Sequence, residues 1–176
     1  MAQEASASSS AGAAAGQMMR MVVGVDDSDP SWYALQWTLQ HFFPPSGQPK
    51  QQQYRLIVVT AKPAAACNVG LAGPGAADVV SFVEADLKRS SMRVIKKAKD
   101  LCAQLQVSDA MFEVVEGDAR HVLCEAVEKH HAELLVVGSH GYGAIKRAVL
   151  GSVSDYCVHH AHCTVMIVKK PKHNHC

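Results

Sequence analysis

One short stretch of the chain has the composition of a ligand-binding loop. The segment VVGSHGYGAIKRAVLGSVSDY leaves an apolar run at Gly138 and returns to a periodic pattern at Gly151 and Ser152. Glycine is unfavourable in backbone entropy unless the chain needs a positive φ or a close approach to another group. From Gly138 through Gly141 to Gly151 the spacing is G-x2-G-x9-G-[ST], and the predicted helix SVSDYCVHH follows directly.

The chemistry that this spacing favours is the binding of phosphate groups. Free N–H groups and the helix dipole attract an anion at a helix N-terminus, and the hydroxyl of Ser152 adds a donor there. The nine residues between Gly141 and Gly151 span about 30 Å when extended, enough to surround a triphosphate. Neither G-x-x-x-x-G-K-[ST] nor G-x-G-x-x-G occurs in this region. We therefore predict a phosphate-binding loop of another type.

Five apolar segments that alternate with helical patterns must position this loop. The predicted strands are RMVVGVDD, YRLIVVTAK, MFEVVEG, AELLVVG and CTVMIVKK. The predicted helices are SDPSWYALQWTLQHFF, a long helix from Asp78, DARHVLCEAVEKHH and SVSDYCVHH. Strands that are apolar throughout and alternate with helices indicate a parallel sheet covered on both faces. The sequence thus predicts an α/β, doubly wound, Rossmann-like fold over residues 20–170.

Unusual residues follow the predicted strands at the edge where such folds bind ligands. The predicted strand ends are Val25-Asp26-Asp27, Thr60-Ala61, Gly117-Asp118 and Gly138-Ser139-His140-Gly141. In a doubly wound sheet, ligands bind at the carboxyl ends of strands where the winding reverses. We therefore expect these four strand ends to meet at one rim, which carries the functional site.

The composition excludes several classes of partner. The chain has 176 residues, 48% of them hydrophobic, and a net charge of +1, so no basic stripe predicts a nucleic-acid partner. It has no apolar run of the roughly 20 residues that span a bilayer.

Its six cysteines form no C-x-x-C pair, which favours a reducing, cytoplasmic location, with the nucleus also possible. Residues 1–19 are predicted to be a disordered Ala/Ser/Gly tail and residues 171–176 a flexible His/Cys tail.

The glycine pattern, together with the V-x-V-D end of the first strand, resembles a known family. From about Met21 to Lys170 the sequence is similar to the ATP-binding branch of the universal stress proteins. The segment GSHGYGAIKRAVLGSVSDYCVHHA is especially similar to the plant members. The resemblance implies a five-stranded parallel sheet of order 3-2-1-4-5 and a homodimer. The sequence itself also predicts a dimer through residues 163–169, because an apolar edge strand has unpaired backbone groups that a second copy can pair with.

The resemblance also implies a set of nucleotide contacts. By matching position, Asp26 would lie beside the ribose and Ala61 beside the adenine, through its backbone. The ribose and phosphates would be held by the loop and helix residues Gly138, His140, Gly141, Gly151, Ser152 and Val153. The implied ligand is ATP, ADP or AMP with Mg²⁺. The implied role is a nucleotide-dependent regulator of the stress response that acts on an unknown downstream protein.

Other interpretations of the same residues stay open. Asp26 could cap the first helix, as Asp27 and Ser28 are expected to do. The pair Lys146 and Arg147 is typical of a solvated surface. The protein could be a slow Mg²⁺-dependent ATPase, with His140 the one plausible base near the γ-phosphate. It could also be a nucleotide-free interaction or metal-buffering protein, although its clustered ligands do not form an evident four-ligand cage: His159, His160, His162, Cys163 and the terminal KHNHC.

Overall fold

The computed structural model describes residues 18–44, 53–65, 76–139 and 150–171, and these form one sheet with helices on both faces. The strands are β1 (Met19–Gly24), β2 (Tyr54–Lys62), β3 (Met111–Glu116), β4 (Leu134–Gly138) and β5 (Thr164–Val168). The helices are α1 (Asp29–Phe42), α2 (Ala76–Gln104), α3 (Ala119–His130) and α4 (Ser152–His160).

All four strand pairings are parallel, and the strand order is β3-β2-β1-β4-β5. The prediction of a five-stranded parallel sheet of order 3-2-1-4-5 is therefore confirmed. The order reverses between β1 and β4, since β2 follows β1 on one side and β4 lies on the other. The switch point of the fold thus lies between the strand that ends before Asp26 and the strand that ends at Gly138.

Two apolar layers hold the helices to the sheet. On one face, Leu35 and Leu39 of α1 and Ala98 of α2 pack with the buried side chains of β1 and β2, and all three are fully buried. On the opposite face, α3 and α4 pack on Val22, Ile57 and Leu135. The apolar positions of α3 that face the sheet are all buried: Val122, Leu123, Ala126 and Val127.

Side chains at the helix starts explain where α1 and α3 begin. The hydroxyl of Ser28 accepts a hydrogen bond from the N–H of Ser31, and Pro30 stands in the first turn of α1. Asp118 caps α3 by accepting from the N–H of Arg120 at 2.9 Å. His131 caps the C-terminus of α3 in the left-handed conformation, with a φ of 48°. Its N–H donates to the carbonyl oxygens of the last helical turn.

Several predicted boundaries are wrong by one to three residues, as three elements illustrate. β1 ends at Gly24 rather than Asp26, because its register with β2 stops at the Gly24–Val59 pair. β5 covers Thr164–Val168 rather than 163–170, because its partner β4 ends at Gly138. Helix α2 begins at Ala76, two residues before Asp78.

Several predictions concern residues that the structure does not describe. Of the predicted N-terminal tail, residues 1–17 lie outside the described residues, whereas Met19 begins β1 and is not part of a tail. The predicted C-terminal tail lies outside the described residues from residue 172 onward. Within the described ranges, no helix is both long and apolar enough to cross a bilayer. The cysteines in those ranges are free thiols: Cys102, Cys124, Cys157 and Cys163.

Candidate functional site

The turn after β1 is organised around Asp26. Its carboxylate oxygen Oδ1 accepts hydrogen bonds from both the N–H and the hydroxyl of Ser28. The hydroxyl of Ser31 donates to the carbonyl oxygen of Asp26 at 2.8 Å, which closes the turn. Asp26 therefore orients the residue that caps α1 and is not itself the cap. Its side chain is exposed, and among the described residues only Oδ1 has hydrogen-bond partners.

Gly138 brings the end of β4 against this turn. A Cβ added to Gly138 would lie 2.7 Å from the carbonyl oxygen of Pro30 and 3.0 Å from the backbone nitrogen of Ser31. The first distance is shorter than side-chain carbons tolerate and the second is tighter than most such contacts, so only glycine fits there without a backbone shift. The close approach at Gly138 is to the first turn of α1. Contact of Gly138 with a nucleotide stays a prediction.

The two ends of the glycine-rich loop are joined by a backbone hydrogen bond. The N–H of Gly151 donates to the carbonyl oxygen of Ser139 at 2.7 Å, and the hydroxyl of Ser154 donates to the same carbonyl at 3.2 Å. The loop therefore leaves the sheet and returns to one point. His140 and Gly141 lie outside the described residues, so the structure does not place them.

Helix α4 starts at this junction without a side-chain cap. Gly151 occupies the N-cap position with φ −75° and ψ 158°, an extended conformation that any residue adopts. Of the two reasons for a glycine, a positive φ therefore does not apply at Gly151. Because glycine has no side-chain oxygen, the N-terminus of α4 has no side-chain cap, and the exposed Ser152 follows. Val153 is half-buried and packs against the apolar layer under α3 and α4.

Ala61 lies at the end of β2, beyond the last residue of β1. The N–H of Val25 donates to the carbonyl oxygen of Val59 at 2.9 Å, so the backbone polar groups of Val59 face β1. Because these directions alternate along a strand, those of Ala61 face the same side. The register with β1 has ended by then, at the Gly24–Val59 pair. The N–H and C=O of Ala61 therefore point into the space beyond the end of β1.

The residues that follow β3 form the start of α3. Gly117 has a φ of 146°, the region that favours glycine, and Asp118 follows as the N-cap. The carboxylate of Asp118 also accepts two hydrogen bonds from the guanidinium of Arg120, at 2.9 and 2.8 Å. The side-chain hydrogen bond from Arg120 is the main reason that the pKa of Asp118 falls to about 2.

The sequence reasoning missed an ionic cluster beside Ala61. The ammonium of Lys62 lies 2.6 Å from a carboxylate oxygen of Glu116 and 3.8 Å from one of Glu84. Its side chain is only 11% exposed, and the hydrogen bond to Glu116 raises the pKa of Lys62. The lysine at the end of a largely apolar strand indicates that a charged partner lies nearby. The sequence does not identify this partner, because Glu84 and Glu116 are distant along the chain.

The histidines near the end of α4 have other partners. The Nδ1 atoms of His159 and His160 donate to the carbonyl oxygens one turn earlier, and the ring of His160 stacks on Tyr156 at 3.8 Å. His162 lies 3.4 Å from a carboxylate oxygen of Glu128. Across the described ranges, no group of three or more His, Cys, Asp or Glu residues is arranged to hold a metal ion.

Comparison with known proteins gives a consistent picture. A family model described as Universal stress protein family matches residues 18–169. The chain is 31% identical over 153 residues to Universal stress protein MJ0531 of Methanocaldococcus jannaschii, covering 87% of this chain and 83% of that protein. It is 31% identical over 175 residues to Universal stress protein PHOS34 of Arabidopsis thaliana, covering 89% of this chain and 64% of the relative.

Solved structures share the architecture. Universal stress protein UspA from Lactobacillus plantarum superposes with a TM-score of 0.71 at 19% identity, over 86% of this chain and 98% of that one. A universal stress protein in complex with cAMP gives a TM-score of 0.60 at 26% identity, over 85% and 96%. A family protein from Arabidopsis thaliana with AMP bound gives 0.58 at 22% identity, over 87% and 92%.

Proposed function

The chain belongs to the universal stress protein family, and we propose that it is an adenine-nucleotide-binding member that acts as a nucleotide-dependent regulator in the stress response. One observation carries the proposal: at the switch point of the sheet, the end of β4 at Gly138 contacts Pro30 in the first turn of α1, the helix that follows β1. The complex of a related protein with cAMP supports a ligand with an adenine base and a phosphate.

Ala61 is suited to contact the base. A backbone N–H and C=O that face beyond the end of β1 can pair with the N1 acceptor and the N6 amino donor of adenine. Because β2 extends past β1, a flat ring can approach this edge without displacing a strand. Such a backbone contact does not depend on the identity of the side chain, which explains how alanine can serve here.

The ribose and phosphates would lie toward β4. The exposed carboxylate of Asp26 has an oxygen available to accept from a ribose hydroxyl. The uncapped N-terminus of α4 offers N–H donors, and Ser152 offers a hydroxyl, to an anionic group. The hydrogen bond between Gly151 and Ser139 brings the end of β4 beside this helix end.

The site fits Mg²⁺ only as a partner of the nucleotide. The described residues contain no cluster that would hold a metal by protein ligands alone. Mg²⁺ is usually bound by one or two carboxylates together with substrate phosphates. Asp26 and Asp27, both exposed at the switch point, are the carboxylates available for that role. When bound, the metal would neutralise phosphate charge.

Mass spectrometry of the protein purified without added nucleotide tests the proposal, together with calorimetric titration of the stripped protein with ATP, ADP, AMP and cAMP. We expect an adenine nucleotide to copurify, or at least one of the four to bind with micromolar or better affinity. Single-turnover measurement with ATP separates a regulator, which leaves ATP intact, from a slow ATPase. If none of these four nucleotides binds, the proposal is contradicted. The alternative of a nucleotide-free interaction protein would then be favoured.

We also propose a homodimer through β5 and a cytoplasmic location. β5 pairs with β4 on one side only, and it has an apolar sequence, TVMIV. Natural proteins cover such edges, and a two-fold mate can do so by antiparallel pairing. The location is supported by the free thiols, of which Cys102 and Cys157 are buried as apolar groups. Sedimentation and cell fractionation test these two statements.

A further inference from the structure

Lys62 joins three elements next to the proposed base site. It is the last residue of β2, its partner Glu116 is the last residue of β3, and Glu84 belongs to α2. The ammonium lies 2.6 Å from Glu116 and 3.8 Å from Glu84, and the lysine side chain is 11% exposed. The lysine is therefore the shared cation between two carboxylates on different elements.

The end of β2 is held from one side only. Past Val59, β2 has no ladder with β1, whereas its register with β3 continues through the Lys62–Glu116 pair. The carbonyl oxygen of Lys62 also accepts from the N–H of Gly117 at 2.9 Å. The direction of the Ala61 peptide is thus set by contacts to β3 and α2, and Lys62 supplies the charged part of them.

This direction bears on which base is accepted. Adenine presents a donor at N6 and an acceptor at N1, whereas guanine presents an acceptor at O6 and a donor at N1. If the backbone C=O faces position 6 of the base and the N–H faces N1, both pair with adenine. With guanine, the C=O would face the acceptor O6 and the N–H would face the donor at N1. The discrimination requires that the peptide stays in place, because an unmatched polar group costs most when it cannot turn away.

We propose that Lys62 is a positioning residue that fixes the Ala61 peptide and so gives the site its preference for adenine over guanine. This inference rests on the proposed nucleotide function. Without the ammonium, Glu84 and Glu116 would be left as two like charges near one another, and α2 would move away from the strand ends. The Ala61 peptide would then lose its fixed direction, while the phosphate end of the site, on α4, would keep its structure.

Calorimetric titration of ATP, GTP and inorganic tripolyphosphate tests the inference on the full chain. For Lys62→Met we expect the ratio of ATP to GTP affinity to fall at least about fivefold, the lower end of typical coupling between sites. Tripolyphosphate affinity should be unchanged. Lys62→Arg, which keeps the charge, should restore most of the ratio, and Glu116→Gln should lower it in the same direction. The matched control is Lys129→Met, which breaks an ion pair with Glu113. Glu113 lies on β3, as Glu116 does.

The outcomes separate this inference from the proposed function. If the wild-type protein binds no nucleotide, the proposed function fails and this inference fails with it. If the wild type prefers ATP and both Lys62→Met and Glu116→Gln keep the full preference, only the role of Lys62 is overturned. Equal weakening of ATP, GTP and tripolyphosphate would also overturn it, because that pattern indicates a general loss of structure. Should Lys62→Met not fold, Glu116→Gln alone decides.

Discussion

Gly138 and Pro30 are in such close contact that a Cβ on the glycine would lie 2.7 Å from the carbonyl oxygen of the proline. The contact joins the end of β4 to the first turn of α1, which starts just after Asp26. The end of β4 is therefore packed against backbone atoms of α1. Because those atoms belong to a helix start, they cannot move aside as a flexible side chain would.

Gly138→Ala should destabilise the protein by about 1–3 kcal/mol, the usual cost of forcing a methyl group into a packed site. Urea denaturation measures the change. The matched control is Gly24→Ala, whose Cβ would lie 2.8 Å from a Leu123 side-chain carbon. Since that leucine can adjust its rotamer, we expect a smaller loss. An equal or larger loss for Gly24→Ala would show that the backbone contact at Gly138 has no special cost.

The sequence predicted the number and order of the strands, but it predicted their limits unevenly. β2 was predicted with its observed bounds, since Tyr54 and Lys62 enclose a continuous apolar run. At β1 the pattern remained apolar through Val25, but the ladder ends at Gly24. A strand end depends on where the neighbouring strand's hydrogen bonds stop, and one strand's own residues do not carry that information.

The site was predicted less completely, for a related reason. The glycine pattern showed that something approaches Gly138 but could not distinguish a ligand from the backbone of Pro30. The ion pairs of Lys62 with Glu84 and Glu116 join residues 22 and 54 positions apart, which no local pattern reveals. Nucleotide contact at the predicted residues of the rim stays a prediction.

The stability contributed by Asp118 should depend on pH. Its pKa is lowered from 3.8 to about 2, with the side-chain hydrogen bond from Arg120 as the largest cause. A lowered pKa means that the contribution is present above pH 4 and is lost as the pH falls toward 2. Asp118→Asn keeps an oxygen for the helix cap but cannot titrate.

We therefore expect the wild type to exceed Asp118→Asn by at most about 1 kcal/mol at neutral pH, because the carboxylate is 43% exposed and solvent screens the pair. The difference should shrink between pH 4 and pH 2. Urea denaturation of both proteins across this range measures it. A difference that stays constant with pH would contradict an ionic contribution.

Ser152 and Ser154 should respond differently to loss of their hydroxyls. Ser152 is exposed at the start of α4, so Ser152→Ala should leave stability nearly unchanged and weaken ATP binding. A hydrogen bond to a charged acceptor is worth about 1.5–3 kcal/mol, or roughly one to two decades of affinity. Ser154 is buried and bonded to Ser139 and Gly151, so Ser154→Ala should lower stability first. Calorimetry and thermal denaturation of both variants separate the roles, and the reverse pattern would contradict them.

Dimerisation through β5 should be sensitive to a loss of outward backbone donors. The N–H of Thr164 and the C=O of Val168 bond toward β4, so the alternating residues Val165 and Ile167 direct their polar groups outward. Val165→Pro removes one outward N–H without removing a bond to β4. We expect sedimentation to show a shift toward monomer.

The control is Val114→Pro on β3, the other edge strand of the sheet, where Val114 is 39% exposed. It should leave the association state unchanged. Val165→Lys, which adds a charge at the same edge, should also favour the monomer. A wild-type protein that is monomeric at micromolar concentration would contradict the proposed dimer outright.

The carboxylate of Asp26 should contribute to binding through the ribose rather than through a metal. Asp26→Asn keeps an oxygen to accept from Ser28, so the α1 cap survives, but the substitution removes the charge. A ribose hydroxyl donates more strongly to a carboxylate than to an amide, so we expect ATP and adenosine to lose affinity by a similar factor, about tenfold. The loss should be the same with and without Mg²⁺. Asp109→Asn is the control, because that exposed carboxylate precedes β3 and so lies at the opposite end of the strands from the proposed site. Calorimetry with both ligands decides, and a loss confined to ATP in the presence of Mg²⁺ would assign Asp26 to the metal instead.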